Sequence, residues 1–179
     1  MREAGRIVVA AGKLVEQASL KPRHIRHKGR VDLVTETDTL VERFLVGELG
    51  SLLPKAAFLA EESAQANTIP FEPCWIIDPV DGTRNFAGGS PDFAVMVAEV
   101  RSGVTTRSWI WQPVPEVMYV AELGGGVHRN GERVTKPVAD LAPELKPELL
   151  AELAKSGEMR EVALDNAAKY FYVRAIEGT

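Results

Sequence analysis

Apolar residues recur at steps of three and four in two segments near the N-terminus, residues 3–20 and residues 37–49. This spacing places them on one side of an amphipathic helix. The first set is Ile7, Val8, Ala11, Leu14, Val15 and Ala18, and the second is Leu40, Val41, Phe44, Leu45 and Leu49. The sequence therefore predicts two helices. Thr37 or Asp38 can cap the second helix, with Glu42 in support of the cap.

Two short apolar runs further along predict strands that end in acidic residues. Residues 74–77 are followed at once by Asp78, and residues 56–60 are followed by Glu61. Consecutive apolar residues between turn formers suit a strand that is covered on both faces. We expect each strand to deliver its acid at its C-terminal end, with Asp78 and Asp81 flanking one tight turn.

The next segment has the alternation and turn signals of an antiparallel sheet. Strands are predicted over residues 93–100, 109–111 and 117–121, and a turn over residues 113–116. Asn-Gly is the strongest short hairpin signal, so residues 127–134, centred on Asn130 and Gly131, predict a hairpin. The aromatic residues of this block are expected to lie in the core.

Composition narrows the class of protein. The chain has 179 residues, 45% of them hydrophobic and 26% charged, which is typical of one globular domain. A formal net charge of −4 argues against nucleic-acid binding, which requires clustered Lys and Arg. The single cysteine, Cys74, cannot form an internal disulfide, and no segment approaches the roughly 18 apolar residues of a membrane span. We expect a cytoplasmic protein without a membrane or nucleic-acid partner.

The close spacing of Asp78 and Asp81 in the sequence indicates a binding site for a divalent metal ion. Two unit charges about 4 Å apart repel by roughly 4 kcal/mol at an effective dielectric constant of 20, and a divalent cation would remove this cost. Oxygen ligands favour Mg²⁺ or Mn²⁺ over Zn²⁺. Gly82 and Thr83 follow at the start of a turn or helix, where backbone N–H groups can bind a phosphate oxygen. Metal-assisted phosphoryl transfer is one interpretation, and an ordinary Asp-Pro turn is the other.

Residues 78–86 resemble the D-P-x-D-G-T-x-N-F signature of the inositol monophosphatase family, the lithium-sensitive, Mg²⁺-dependent phosphatases. Every fixed position is present: Asp78, Pro79, Asp81, Gly82, Thr83, Asn85 and Phe86. Three other segments are similar to family motifs. They are Lys28, Asp32, Val34, Thr35 and Asp38 for K-x-x-x-D-x-V-T-x-x-D, residues 60–63 for G-E-E-S with Ala60 in place of glycine, and Gly124, Gly126, Asn130 and Gly131 for the hairpin motif.

The resemblance implies an α+β fold, a layered α/β sandwich of the inositol monophosphatase and sugar phosphatase type. We expect a single domain over residues 1–179, with an N-terminal α+β part over about 1–135 and a truncated C-terminal part over about 136–179. In members of the family, a W-D-x-A motif supplies an aspartate to the second metal site. This sequence does not contain that motif. Asp165 has D-x-A-A spacing, but it precedes the last predicted strand instead of following it. We therefore expect the second sheet to be incomplete and the C-terminal part to be lacking.

The resemblance also implies a set of metal ligands. Glu61, Asp78 and the Val80 carbonyl would hold one Mg²⁺, and Asp78 and Asp81 would share a second. The family implies two or three ions in all, with Mn²⁺ as an alternative to Mg²⁺.

Further roles follow from the same resemblance. Asp38 and Thr83 would be catalytic and would orient the attacking water. The amides of Gly82 and Thr83 would bind the substrate phosphate, and Lys28 and Glu62 would support the site.

The D-G-T-x-N-F form, with Arg84 at the variable position, is more similar to inositol monophosphatases and related sugar or histidinol phosphatases than to nucleotide 3′-phosphatases. The resemblance implies a small phosphorylated polyol, sugar or amino alcohol as substrate, and a homodimer. The alternative is a catalytically impaired metal-binding or interaction module derived from the family, which the missing W-D-x-A aspartate favours. We expect this 179-residue chain to have weak or no phosphatase activity.

Overall fold

The computed structural model describes residues 2–20, 25–27, 33–62 and 73–134. The helices in these ranges are α1 (Arg2–Ser19), α2 (Glu36–Leu52) and α3 (Thr83–Gly88). The strands are β1 (Ile25–His27), β2 (Leu33–Thr35), β3 (Ala57–Ala60), β4 (Cys74–Asp81), β5 (Ala94–Arg101), β6 (Val104–Gln112), β7 (Val117–Glu122), β8 (Gly126–Arg129) and β9 (Glu132–Arg133). The predicted α+β class is confirmed.

A seven-stranded sheet in the order β3-β4-β5-β6-β7-β8-β9 forms the centre of the described structure. Strands β3 and β4 are parallel, and each later neighbour pair is antiparallel. A separate antiparallel pair contains β1 and β2. Because β3 and β4 run in the same direction, their C-terminal ends lie at the same edge of the sheet.

Helices α1 and α2 pack against each other and against one face of this sheet. Helix α1 lies over β5 and β6, and α2 lies over β4. The core between helices and sheet includes Val8, Val15, Val41, Leu45, Leu49, Trp75, Ile77, Val95, Val97 and Trp109. The opposite face of the sheet carries a second buried apolar cluster, Leu59, Cys74, Ile76, Ala98 and Val100. Strands β4 and β5 are therefore apolar on both faces, as the uninterrupted apolar run of β4 predicts.

Two local predictions are wrong. Helix α2 begins at Glu36, so Thr37 and Asp38 lie within its first turn and do not cap it. Strand β4 continues through Asp81, so Asp78 and Asp81 lie within one strand and do not flank a turn. The pairing of β4 with β5 shifts register between these two aspartates, where Pro79 cannot donate a ladder hydrogen bond.

The antiparallel block agrees closely with its prediction. Strands β5, β6 and β7 occupy the predicted segments, and β8 and β9 form the predicted hairpin. Its turn residues Asn130 and Gly131 have φ values of 49° and 86°, the left-handed region that a tight hairpin turn requires. In the part of the chain described, no helix is long and apolar enough to cross a membrane. Lys28, Asp165 and all predictions beyond residue 134 lie outside the described residues.

Candidate active site

The C-terminal ends of β3 and β4 bring together the first two predicted ligands. Ala60 pairs with Ile77 in the parallel ladder, and the Glu61 amide donates to the Ile77 carbonyl over 3.2 Å. Glu61 directly follows the last residue of β3, and Asp78 directly follows the β4 residue that pairs with it, so both acids lie at the same edge of the sheet. Both acids follow buried apolar strand segments, as the sequence predicts.

Thr83 links the end of β4 to α2. Its hydroxyl lies 2.9 Å from the Val80 carbonyl oxygen and 3.3 Å from Oδ1 of Asp38. Asp38 is only 1% exposed and Thr83 is partly exposed, so the contact is partly buried. A hydroxyl has one proton to donate, and the two acceptors must share it. The structure thus brings together both residues that the resemblance implies to be catalytic.

The glycine, asparagine and phenylalanine of the signature shape the turn after β4. Gly82 has φ +84°, and a Cβ added there would lie 2.8 Å from the Asp92 carbonyl oxygen. Asn85 donates to that same carbonyl over 2.9 Å. Phe86 packs edge-on against Phe93, with ring centroids 5.3 Å apart at 84°. These residues therefore hold the chain that carries Asp81 and Thr83, and Asp92 is a partner that no sequence pattern identified.

Glu42 is a second residue whose contact in the structure the sequence did not predict. It is 4% exposed, and its Oε2 accepts a hydrogen bond from the Glu62 amide over 2.7 Å. Its predicted role in a helix cap is wrong, because α2 begins six residues earlier in the chain, at Glu36. One feature of the sequence could have indicated this contact. Glu42 is four residues after Asp38, and residues at that spacing lie on the same face of a helix.

The donor set of this edge has the chemistry that Mg²⁺ or Mn²⁺ prefers. Glu61, Asp78 and Asp81 offer carboxylate oxygens, and the Val80 carbonyl has a second lone pair besides the one that faces Thr83. Within the described ranges, no three His, Cys, Asp or Glu side chains are grouped closely enough to hold a metal ion. The residues fit the metal by donor type, and they lie at or directly after the ends of β3 and β4.

Cys74, at the start of β4, does not have the properties of a nucleophile. It is fully buried, and its thiol contacts the Trp75 carbonyl oxygen at 3.4 Å. Burial raises the pKa of this thiol from 9.0 to about 11, and a backbone hydrogen bond from Leu59 lowers it in part. The thiol is therefore protonated at neutral pH and unreactive.

Comparison with known proteins identifies similar chains. A family model described as "Inositol monophosphatase family" matches residues 2–173. Inositol monophosphatase 1 of Solanum lycopersicum is 33% identical over 127 residues, which cover 69% of this chain and 46% of that protein. The chain thus spans about half the length of the curated relatives that it matches.

Solved structures agree with this result. The Thermotoga maritima IMPase has a TM-score of 0.67 and 32% identity, over 72% of this chain and 50% of that one. A structure described as IMPase/NADP phosphatase complexed with Mg²⁺ and phosphate has a TM-score of 0.71 over 94% of this chain and 77% of that one. Its identity is 19%, so it supports the fold alone.

Proposed function

The chain belongs to the inositol monophosphatase family, and from this premise we propose that it is a Mg²⁺-dependent phosphomonoesterase that acts on a small phosphate ester. One observation carries the proposal: the Thr83 hydroxyl contacts Oδ1 of buried Asp38 at the edge of the sheet where β3 and β4 end. Three separate segments of the chain thus bring acidic residues to one edge of the sheet. A structural Asp-Pro turn would require none of these contacts.

In this proposal Glu61, Asp78 and the Val80 carbonyl hold one Mg²⁺, and Asp78 and Asp81 share a second, with Mn²⁺ as a substitute. Divalent ions bound there would neutralise the phosphate oxygens and stabilise the leaving alkoxide. The oxygen-only donor set supports this assignment.

The proposed roles of the remaining residues concern the water and the phosphate. The Thr83 hydroxyl donates to Asp38, and its oxygen lone pairs accept a hydrogen bond from the attacking water and orient it. The Gly82 and Thr83 amides donate to the substrate phosphate. The water oxygen forms the new P–O bond as the ester P–O bond breaks, the water gives up one proton to solvent, and the leaving alkoxide takes up one proton from solvent, so the products are an alcohol and inorganic phosphate. Glu62 has a supporting role through its backbone, and Lys28 is proposed from the family motif alone.

The proposed substrate is a phosphorylated polyol, sugar or amino alcohol, and the proposal includes inhibition by lithium. We also propose a single domain over residues 1–179 and a homodimer. A reduced cytoplasmic setting is part of the proposal, supported by the buried, protonated thiol of Cys74.

A second candidate function is a catalytically impaired metal-binding or interaction module. The observation that favours it is that the 179-residue sequence contains no W-D-x-A motif, whose aspartate belongs to the second metal site of the family. This candidate predicts metal binding at Asp78 and Asp81 without turnover, so binding and hydrolysis must be measured separately.

The test compares phosphate release from inositol 1-phosphate, fructose 1,6-bisphosphate and histidinol phosphate by the 179-residue chain, with Mg²⁺ and with EDTA. The phosphatase proposal predicts weak release that EDTA and Asp81→Asn abolish, while the control Glu48→Gln, on the exposed face of α2, retains it. Mg²⁺ binding without release from any ester would support the second candidate. Absence of both would overturn the two candidates together.

A further inference from the structure

We infer that Glu42 is a positioning residue that holds Glu61 in place for metal binding, an inference that rests on the proposed function. Its carboxylate is 4% exposed and lies within α2, away from the proposed ligands in sequence. It contacts the backbone of the turn that carries Glu61, since its Oε2 accepts from the Glu62 amide over 2.7 Å. Glu42 thus acts through the chain and has no direct role as a ligand.

One helix face secures both acidic segments of the site. Asp38 and Glu42 are four residues apart in α2, so they lie one above the other on the face of the helix that packs toward β4. Asp38 contacts Thr83, after β4, and Glu42 contacts Glu62, after β3. The two contacts set where the ends of β3 and β4 lie relative to the same helix.

The contact restricts the backbone at Glu61 through its two flanking peptide groups. The amide of Glu61 donates to the Ile77 carbonyl over 3.2 Å, and the next amide, that of Glu62, donates to Glu42. Each peptide group is a rigid plane, so a hydrogen bond on each side of one Cα narrows the range of φ and ψ at that residue. The Cα–Cβ bond of Glu61 is restricted in direction accordingly.

Packing alone does not account for an acid at position 42. A buried carboxylate is unfavourable unless it is hydrogen-bonded, and two acids four residues apart on a helix repel each other. An apolar side chain would fill the position between α2 and the sheet without either cost. A charged acceptor makes a shorter and stronger hydrogen bond to an amide than a neutral one, which suits a residue that anchors a turn.

The experiment measures Mn²⁺ binding by the 179-residue chain, with free Mn²⁺ followed by electron paramagnetic resonance. The variants are Glu42→Ala, Glu42→Gln, Glu61→Gln and the double variant Glu42→Ala with Glu61→Gln. Glu48→Ala, on an exposed position of the same helix, is the matched control. Amide hydrogen exchange at Glu62, measured without metal, reports the contact directly.

We expect Glu42→Ala to raise the Mn²⁺ Kd about 10-fold, the lower end of the range for groups that orient metal ligands. Glu42→Gln should raise the Kd much less, because its carbonyl oxygen still accepts the amide hydrogen bond. In the Glu61→Gln background, Glu42→Ala should have no further effect, since Glu42 acts through Glu61. Exchange at Glu62 should accelerate in Glu42→Ala and stay unchanged in Glu48→Ala.

If the unsubstituted chain binds Mn²⁺ and Glu42→Ala leaves the Kd unchanged, the inference is wrong and the proposed function stands. Additive effects of Glu42→Ala and Glu61→Gln would also overturn it, because they would indicate a general structural role. If the unsubstituted chain binds no Mn²⁺, the proposed function is overturned, and this inference with it.

Discussion

The Thr83 hydroxyl lies 3.3 Å from Oδ1 of Asp38, although the two residues are 45 positions apart in the chain. The contact joins the first turn of α2 to the first residue of α3. Asp38 is buried, so its carboxylate depends on protein donors more than an exposed acid would. The signature segment and the helix before it therefore form one site.

Replacement of Thr83 tests this contact. Thr83→Ala should lower the free energy of unfolding by about 1 kcal/mol, because buried Asp38 loses a hydrogen-bond donor. Thr83→Ser keeps the hydroxyl and should recover most of the loss. Urea denaturation measures both variants. Equal stabilities of the alanine and serine variants would show that the hydroxyl contributes nothing.

Metal binding should stabilise the fold. Mg²⁺ at 100 times its Kd is expected to raise the free energy of unfolding by about 2.7 kcal/mol, because it binds the folded state only. Asp78→Asn should abolish this increment, whereas Glu48→Gln, at an exposed position of α2, should retain it. Thermal melting with and without Mg²⁺ provides the measurement. A Mg²⁺ effect that persists in Asp78→Asn would contradict the ligand assignment.

The phosphatase proposal predicts that the 179-residue chain hydrolyses inositol 1-phosphate only weakly, because its sequence has no W-D-x-A motif to complete a second metal site. Colorimetric phosphate release at saturating Mg²⁺ is the measurement. Rapid, EDTA-sensitive turnover by this chain would contradict the prediction.

Two helix glycines should respond in opposite ways to alanine. A Cβ at Gly12 of α1 would overlap the indole ring of Trp111, which is buried, so Gly12→Ala should destabilise the protein by about 1–3 kcal/mol. Gly47 of α2 has no atom within 4 Å of an added Cβ. Gly47→Ala should therefore stabilise by up to about 1 kcal/mol through helix propensity. Urea unfolding compares them, and equal shifts of one sign would contradict the packing of α1 on β6.

The buried thiol of Cys74 should make stability fall at alkaline pH. Burial raises its pKa from 9.0 to about 11, so between these values the folded protein keeps a proton that the unfolded chain has lost. The unfolded state then binds fewer protons, and stability decreases as pH rises through this window, by about 3 kcal/mol at most. Cys74→Ala should lack this component. The check is the unfolding free energy of both proteins from pH 8.5 to 11, and identical slopes would contradict it.

Local patterns determined much of this protein. The helical spacing of apolar residues predicts α1, Asn-Gly predicts the hairpin of β8 and β9, and two apolar runs predict strands β3 and β4, with Glu61 directly after β3. These predictions succeed because hydrophobic periodicity and turn chemistry act over a few residues. The signature also identifies the acids of the candidate site by residue type and spacing.

Only the tertiary structure decided how these segments meet. Strand β4 continues past Pro79 because it pairs with β5, which no property of residues 74–81 encodes. The contact of Glu42 with Glu62 spans 20 positions, and that of Asp38 with Thr83 spans 45. Both depend on how α2 packs on the sheet, and packing is a property of whole surfaces brought together by folding. The sequence therefore identified the acidic residues of the candidate site, and the fold alone determined which groups they contact.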